Sequence, residues 1–352
     1  NNSTPPLKAG GWSGAYSNEG YGWISLAAHE FAHQFSATHT FNGFGGSCTD
    51  NISSETAVEI GSGTTVMSYN GLCDADQNVP GSGILDNYFH ITSLEQMYNF
   101  VYKGNGGSCG NPKPSDNIPP QINANPCNAT YKIPLNTPFY LEAKGTFTDD
   151  DNHTYCWEQT DEDGSGTKVT QGKVGSRAAS DSRAPLFRSY PPTQVPYRYF
   201  PALSSLTSGK VNPFDILPSV ARTMNFNVSL RDNNTKGGAT ANDEVTVQVL
   251  ASGPFVISYP NGGEAIQSGT PVTVKWNTNG SDALCSKVRI KLSFDGGTSY
   301  KFTIAENINY SAGSASITIP TSVVASKDAR MMIECMDYEC FKIFTISKSN
   351  FE

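Results

Sequence analysis

The sequence predicts a multidomain chain in which a small α+β block precedes two mainly β domains. At roughly 150 residues per domain, 352 residues give two to three domains. The 33 glycines and 21 prolines exceed what a helical bundle carries. Short runs of alternating apolar residues recur after the first third of the chain, as is typical of strands. Charged residues make up only 16 % and aromatic residues 11 %, which excludes a coiled coil and a disordered acidic chain.

Two classes of function are excluded by composition. No apolar run approaches the ~18 residues that a membrane span needs, so we expect no membrane-embedded domain. The formal net charge is −8, so there is no general basic field to attract nucleic acid.

Shifts in composition divide the chain into three blocks. Residues 1–110 are glycine-rich and carry two helical patterns, and residues 111–120 form a Pro/Asn/Ser-rich linker. Residues 121–251 and 252–352 are the two expected β domains.

The second block has four alternating runs, followed or separated by polar and proline-rich stretches. We predict strands at 139–148, 154–159, 224–231 and 244–250. The segment 185–201, rich in Pro, Tyr, Phe and Arg, is expected to be an ordered but irregular insertion.

The third block shows the pattern of an immunoglobulin-like sandwich, which is about seven short strands with turns every ~10 residues. Turns are predicted at Asn261-Gly262-Gly263 and Asp295-Gly296-Gly297, and Trp276 is expected in the core. The seven predicted strands are 255–259, 272–277, 288–294, 301–305, 315–319, 330–334 and 341–346.

Eight scattered cysteines favour disulfides over a zinc ribbon, and therefore an oxidising compartment and a secreted protein. Proximity along the chain favours three pairings: Cys48 with Cys73, Cys127 with Cys156, and Cys335 with Cys340. Cys109 and Cys285 are then left over.

One motif carries chemistry, in the helical pattern WISLAAHEFAHQFSATHT at 23–40. His29 and His33, at i and i+4, lie one turn apart on one face and can share a zinc ion at ~2.0 Å. Glu30 is displaced around the helix, where a general base acts without binding the metal. A turn near Ser36 can bring His39 in as third ligand and leave the fourth position open. Six apolar residues fit a buried helix: Ile24, Leu26, Ala27, Ala28, Phe31 and Phe35.

A methionine-containing turn follows, GSGTTVMSYNGLC at 61–73. HExxHxxxxxH followed by such a turn resembles the C-terminal half of a metzincin zinc protease catalytic domain. The segments HEFAHQFSATHTFN, GSGTTVMSY and YFHITSLEQM are similar to reprolysin-like secreted proteases of Bacteroidetes type. CWEQ at 156–159, the 187–201 segment, and PNGGE and LSFDGG in the last block look like the same architecture.

The resemblance implies a secreted zinc endopeptidase that acts on protein or peptide substrates. His29, His33 and His39 would be the zinc ligands, and Glu30 the general base for a water on the zinc, then the acid for the leaving amine. Met67 would form the apolar floor beneath the metal. Tyr69 would bind zinc or hydrogen-bond the developing oxyanion; a half-buried turn aromatic is the other interpretation.

The chain departs from the family pattern in two ways. Ser36 stands where the family has glycine, and a positive φ there would cost a serine on the order of 1 kcal/mol. If His39 failed as a ligand, Glu55 or Glu59 would be the substitute. Also, only 28 residues precede His29, so the upper half of a metzincin domain, with its substrate-pairing strand, is expected to be missing from this chain.

Other residues admit milder interpretations. His90 is expected at the start of a helix capped by Thr92 or Ser93, rather than in a metal site. Asp149, Asp151 and Asp232 sit at strand ends, where acidic loops can bind calcium; solvated turns are the alternative.

A second function class remains open from the sequence. Because two thirds of the chain lies in β blocks, the alternative is an adhesion or carbohydrate/surface-binding module with a vestigial protease site. In that case the β domains would contact a cell surface or a polysaccharide.

Overall fold

The computed structural model describes residues 21–80, 85–111, 113–122, 130–146, 152–162, 170–323 and 325–352. Contacts divide the chain into two compact units. The first draws on the described parts of Asn1–Asn123, Gly145–Pro196 and Met224–Glu244. The second draws on the described parts of Ala124–Lys144, Tyr197–Thr223 and Val245–Glu352. The predicted division into residues 1–110, 111–120, 121–251 and 252–352 stays a prediction.

The described residues are mostly β, with few and short helices. The α-helices are α1 (Tyr21–Gln34), α2 (Ile91–Tyr98), α3 (Ser176–Ala179) and α4 (Leu203–Thr207). None of them reaches the length and apolarity required to cross a membrane. The strands are β1 (Gln121–Ile122), β2 (Thr130–Pro134), β3 (Phe139–Glu142), β4 (Gly145–Thr146), β5 (Thr154–Gln159), β6 (Tyr197–Phe200), β7 (Arg222–Arg231), β8 (Thr240–Leu250), β9 (Val256–Tyr259), β10 (Pro271–Asn277), β11 (Lys287–Ser293), β12 (Phe302–Asn309), β13 (Ser314–Thr318), β14 (Arg330–Cys335) and β15 (Phe341–Ile346).

The first unit holds α1, α2 and α3 together with two strand pairs. β5 runs antiparallel to β7, from Thr154 opposite Arg231 to Gln159 opposite Phe226. β1 pairs with β4. The predicted strand 154–159 is confirmed residue for residue.

The second unit is built mainly from two antiparallel sheets. One has the order β13-β10-β9 and the other the order β12-β11-β14-β15-β3-β6. All seven strands predicted for the last block are present, as β9 to β15. Trp276 is 2 % exposed and donates its indole N–H to the Tyr310 carbonyl at 2.7 Å, so its predicted core position is confirmed.

Two of the six strands in the larger sheet come from the preceding block of the sequence. β15 pairs with β3, and β3 pairs with β6, which lies inside the predicted irregular segment 185–201. The predicted strand 139–148 ends early, because β3 stops at Glu142 and the separate β4 covers only Gly145–Thr146.

The disulfides are confirmed at one predicted place and differ at another. Cys48 bonds Cys73 as predicted. The predicted Cys335–Cys340 pairing is wrong, because Cys335 bonds Cys285 across a Cα–Cα distance of 5.9 Å. The reason is sheet register: Val288 lies opposite Cys335, which brings the residues just before β11 beside the end of β14. Cys340 is also disulfide-bonded. The predicted Cys127–Cys156 pairing is also wrong, because Cys156 is not disulfide-bonded and its thiol donates to Tyr190 O at 3.4 Å. Cys127 itself lies outside the described residues.

Removing the Cys285–Cys335 bond should weaken the second unit. The bond closes a loop of sequence separation 50, for which chain entropy predicts a loss of about 4 kcal/mol in the free energy of unfolding. Urea denaturation of Cys285→Ala/Cys335→Ala against the oxidised wild type measures this loss. An unchanged denaturation midpoint, or a peptide map linking Cys335 to Cys340, would contradict it.

Candidate metal centre

Helix α1 places His29, Glu30 and His33 and turns a single face inward. Ser25, His29 and Ala32 are buried on that face, at i, i+4 and i+7. The expectation of a buried helix is wrong for three of the six apolar residues, since Ile24 is 60 %, Phe31 67 % and Phe35 45 % exposed. The packed face of α1 therefore carries His29 between two small residues, Ser25 and Ala32, whereas the bulkiest apolar side chains of the helix are exposed.

The helix ends in a turn that reverses the chain toward His39. The Ala37 N–H donates to the Ala32 carbonyl at 3.0 Å and the Ser36 N–H to the His33 carbonyl at 3.0 Å. These two bonds form a Schellman motif, in which the residue at the Ser36 position takes a left-handed conformation. Ser36 has φ +72°, as the missing glycine led us to expect.

Three imidazoles are brought together, each oriented by one backbone carbonyl. His29 Nδ1 donates to Val66 O at 2.6 Å, His33 Nδ1 to Ala37 O at 2.7 Å, and His39 Nδ1 to Asn51 O at 2.6 Å. A carbonyl oxygen can only accept, so each Nδ1 carries the ring proton. In the neutral rings each Nε2 is therefore left with its lone pair, as a metal-binding histidine requires.

The spacing of the ring nitrogens fits a cation with tetrahedral coordination. One ring nitrogen from each of His29, His33 and His39 lies within 4.8 Å of the others. The Nε2 atoms of His29 and His33 are 3.1 Å apart, against roughly 3.3 Å for two tetrahedral ligands at zinc–nitrogen distances near 2.05 Å. Both atoms are acceptors in these tautomers, so their lone pairs repel unless a cation lies between them. The residues present therefore fit a zinc ion.

Burial keeps two of these imidazoles neutral. Burial lowers the pKa of His29, partly offset by its bond to Val66 O. Burial also lowers the pKa of His39 to about 4, against the opposing effects of its bond to Asn51 O and of the nearby Glu30 carboxylate. Both rings are thus unprotonated at Nε2 at neutral pH.

The turn that contains Met67 lies directly against α1. Met67 is fully buried and packs with Ala32, Ala37 and Val66. The Thr40 N–H donates to Met67 O at 3.0 Å, which ties the segment after His39 to this turn. The predicted apolar packing of Met67 is thus present beside the histidines' own helix.

Glu59 holds this arrangement, and the sequence did not reveal that role. Its carboxylate, 1 % exposed, accepts from Thr40 Oγ1 at 2.5 Å and Thr65 Oγ1 at 2.6 Å. It also accepts from the N–H groups of Thr64 at 2.9 Å and Thr65 at 3.2 Å. With its oxygens occupied in this way, Glu59 is unsuited to be the substitute metal ligand, and Glu55 is exposed outside the histidine cluster.

Glu30 and Tyr69 line a cleft of about 480 Å³ together with His29. The Tyr69 ring is half-buried, with its centroid 4.6 Å from that of His39 and stacked at 4.6 Å on Phe41. Burial, reinforced by the Glu30 carboxylate, raises the pKa of Tyr69. Its phenol is therefore protonated at neutral pH and faces the cleft as a hydrogen-bond donor.

His90 and Asp232 serve local structure. His90 is itself the N-cap of α2, since its Nδ1 accepts from the Thr92 N–H at 3.2 Å; the expected caps Thr92 and Ser93 lie inside the helix. Asp232 is buried and accepts from Asn234 N, Ala239 N and Asn117 Nδ2 at 3.2, 2.8 and 2.7 Å. Asp149 and Asp151 lie outside the described residues, so a calcium site stays a prediction.

Comparison with known proteins bears on the second unit. Residues 259–340 match the family described as Kre9/KNH-like N-terminal Ig-like domain, and this region excludes the histidine cluster. No curated protein matches the chain.

Several solved structures of immunoglobulin-like and related modules match this chain, each with low overall similarity. The N-terminal four Ig domains of Dscam1 isoform 6.9 match with 10 % identity, over 68 % of this chain and 48 % of that chain, at a TM-score of 0.19. A chimeric titin Z1Z2-Z1Z2 tandem matches with 12 % identity, over 62 % and 93 %, at 0.20. Mouse cadherin-23 EC22-24 matches with 14 % identity, over 65 % and 66 %, at 0.19. The chain thus spans about half the length of the Dscam1 fragment, and scores this low carry no argument about function.

Replacing Ser36 by glycine should stabilise the first unit. A non-glycine residue in the left-handed conformation is destabilised by roughly 1–2 kcal/mol. Glycine avoids this strain, but it loses more conformational entropy on folding, which offsets part of the stabilisation. We expect the free energy of unfolding to rise by about 0.5–1 kcal/mol in chemical denaturation. Ser36→Ala is the matched control and should give no gain; a stabilisation of equal size there would contradict the strain argument.

The metal-free protein should lose stability as the pH falls toward 4. Between the ordinary histidine value of 6.5 and about 4, His39 is neutral when folded and protonated when unfolded. Unfolding then takes up protons, so the free energy of unfolding decreases through this window and levels off below it. Denaturation in chelator at several pH values measures the slope. It should shrink in His39→Asn but persist in His153→Asn; equal slopes in all three proteins would contradict the assignment.

Proposed function

We propose that this chain carries the zinc site of a secreted endopeptidase of the metzincin type. The observation that carries the proposal is the set of three imidazoles whose Nδ1–H groups are fixed by the carbonyls of Val66, Ala37 and Asn51. Such outer-shell bonds fix tautomer and ring orientation in histidine metal sites. A histidine with only a packing role would not require two further imidazoles whose Nε2 atoms point toward its own.

Glu30 is the proton-transferring residue of the proposal. A bound zinc ion would polarise the scissile carbonyl and lower the pKa of a water molecule in the cleft. Glu30 lines the same cleft as His29 without belonging to the three-histidine cluster. Its carboxylate would accept the proton of the attacking water and then deliver it to the leaving amine nitrogen.

Tyr69 would stabilise charge on the substrate. Its raised pKa favours the protonated phenol at neutral pH, and this O–H would donate to a developing oxyanion. Direct binding of zinc by the Tyr69 oxygen is the alternative role.

The disulfides support the proposed compartment. Cys48–Cys73 and Cys285–Cys335 are bonded, and Cys340 is bonded as well. Because such bonds persist in oxidising surroundings, they support a secreted protein. The substrates would be proteins or peptides outside the cell.

Substituting Glu30 should separate metal binding from turnover. Glu30→Gln keeps the shape of the side chain but removes the base, so peptide hydrolysis should fall by about 10²–10⁴-fold while bound zinc stays near one per chain. His39→Ala should lose the zinc. Elemental analysis of purified protein and hydrolysis of a quenched-fluorescent casein measure the two effects.

Glu55→Gln, at an exposed position outside the cluster, is the matched control and should resemble wild type. Absence of stoichiometric zinc from the wild type would overturn the metal site. Stoichiometric zinc combined with hydrolysis that ignores Glu30→Gln would overturn the catalytic role and favour an adhesion module with a vestigial site.

A further inference from the structure

The six-stranded sheet of the second unit carries a cleft of about 470 Å³ that the proposed protease chemistry does not use. One wall is a cluster of three tyrosine rings that are inclined to one another. Tyr140 lies on β3 opposite Tyr199 on β6, and Tyr197 lies two residues before Tyr199, on the same face. Ring centroids are 5.2 Å apart for Tyr140–Tyr197 and for Tyr140–Tyr199, and 5.9 Å apart for Tyr197–Tyr199. Tyr197 remains 40 % exposed.

Charged side chains form the floor beside this cluster. Arg289 and Lys291 are two residues apart on β11, and Glu334 on β14 lies opposite Arg289. The Glu334 carboxylate is buried, accepts from Arg289 Nε, and lies 3.6 Å from Lys291 Nζ. Lys342 on β15 lines the cleft as well, and its Nζ donates to the Tyr338 and Glu339 carbonyls. Because these groups hold one another, the donors and acceptors are fixed in position.

Tyr300 forms the inner side of the cleft and is only 6 % exposed. Its hydroxyl oxygen has almost no accessible surface and makes no hydrogen bond within the described part of the chain, so it is not available to a ligand. By contrast, the hydroxyl of Tyr140 donates to Glu142 Oε2 at 2.6 Å.

This combination matches the chemistry of a sugar chain. A pyranose ring offers a face of C–H bonds that packs on an aromatic ring, and an edge of hydroxyls that both donate and accept. The cleft supplies tyrosine faces on one wall, and cationic donors with carboxylate acceptors on the floor. A lipid would require a more apolar lining. Nucleic acid would require a cationic excess without the carboxylates of Glu142, Glu334 and Glu339.

We propose that the cleft over β3, β6, β11, β14 and β15 binds an oligosaccharide, with pyranose rings stacked on Tyr197 and Tyr140 and hydroxyls bonded to Arg289 and Glu334. The ligand class is a neutral hexose polymer, because the fixed charges of the cleft are largely compensated within it. This site is independent of the zinc chemistry and would hold the chain on a polysaccharide surface whether or not Glu30 is active.

Calorimetric titration of the full chain tests the proposal. The probes are the hexasaccharides of β-1,4-glucan, β-1,3-glucan, β-1,4-mannan and α-1,4-glucan, with polygalacturonate as an acidic comparison. At least one neutral hexasaccharide should bind. Tyr197→Ala should weaken that binding by roughly five- to tenfold, and Tyr197→Phe should restore most of it. Tyr102→Ala, which removes a tyrosine that is 74 % exposed elsewhere in the chain, should have no effect.

The proposal is overturned if no neutral hexasaccharide binds, or if binding survives Tyr197→Ala unchanged. It is also overturned if binding is confined to polygalacturonate and disappears in high salt, since that result marks simple charge attraction.

Discussion

The candidate centre depends on three hydrogen bonds from imidazole N–H groups to backbone carbonyls. Val66, Ala37 and Asn51 each accept from the Nδ1 of one histidine, so side-chain direction is set by the path of the main chain. Without these bonds, the rings could rotate about their χ angles and exchange tautomers, and their Nε2 atoms would no longer converge.

Each carbonyl is fixed by a different device. The left-handed Ser36 turn presents Ala37 O to the histidine one turn back on the same helix. The buried carboxylate of Glu59 bonds Thr40, Thr64 and Thr65, and so joins the segment after His39 to the turn that carries Val66. The Asn51 N–H donates to the carbonyl of Cys48, whose disulfide to Cys73 anchors that loop. A strained residue, a buried carboxylate and a disulfide bond thus each help to fix the position of one carbonyl group.

In the second unit, strand pairing likewise brings together side chains from distant parts of the sequence. The six-stranded sheet places Tyr140, Tyr199 and Arg289 around one cleft. Period-two alternation placed the strand cores in the sequence, because apolar side chains on one face of a strand leave a visible pattern. The joining of β3 and β6 to β15 left no such pattern, since strand pairing over a long sequence separation is decided by packing and register rather than by local composition.

The sequence by itself determined the three candidate histidines, the spacing of His29 and His33 on α1, the strained position of Ser36 and the seven strands of the last block. These are local properties, fixed by helical and strand periodicity within a few residues. Tertiary structure decided the rest: which carbonyl orients each histidine, that Glu59 is a tie rather than a ligand, that Cys335 bonds Cys285, and that α1 exposes Ile24 and Phe31. Those outcomes depend on which distant segments pack together, and local patterns in one sequence do not reveal that packing.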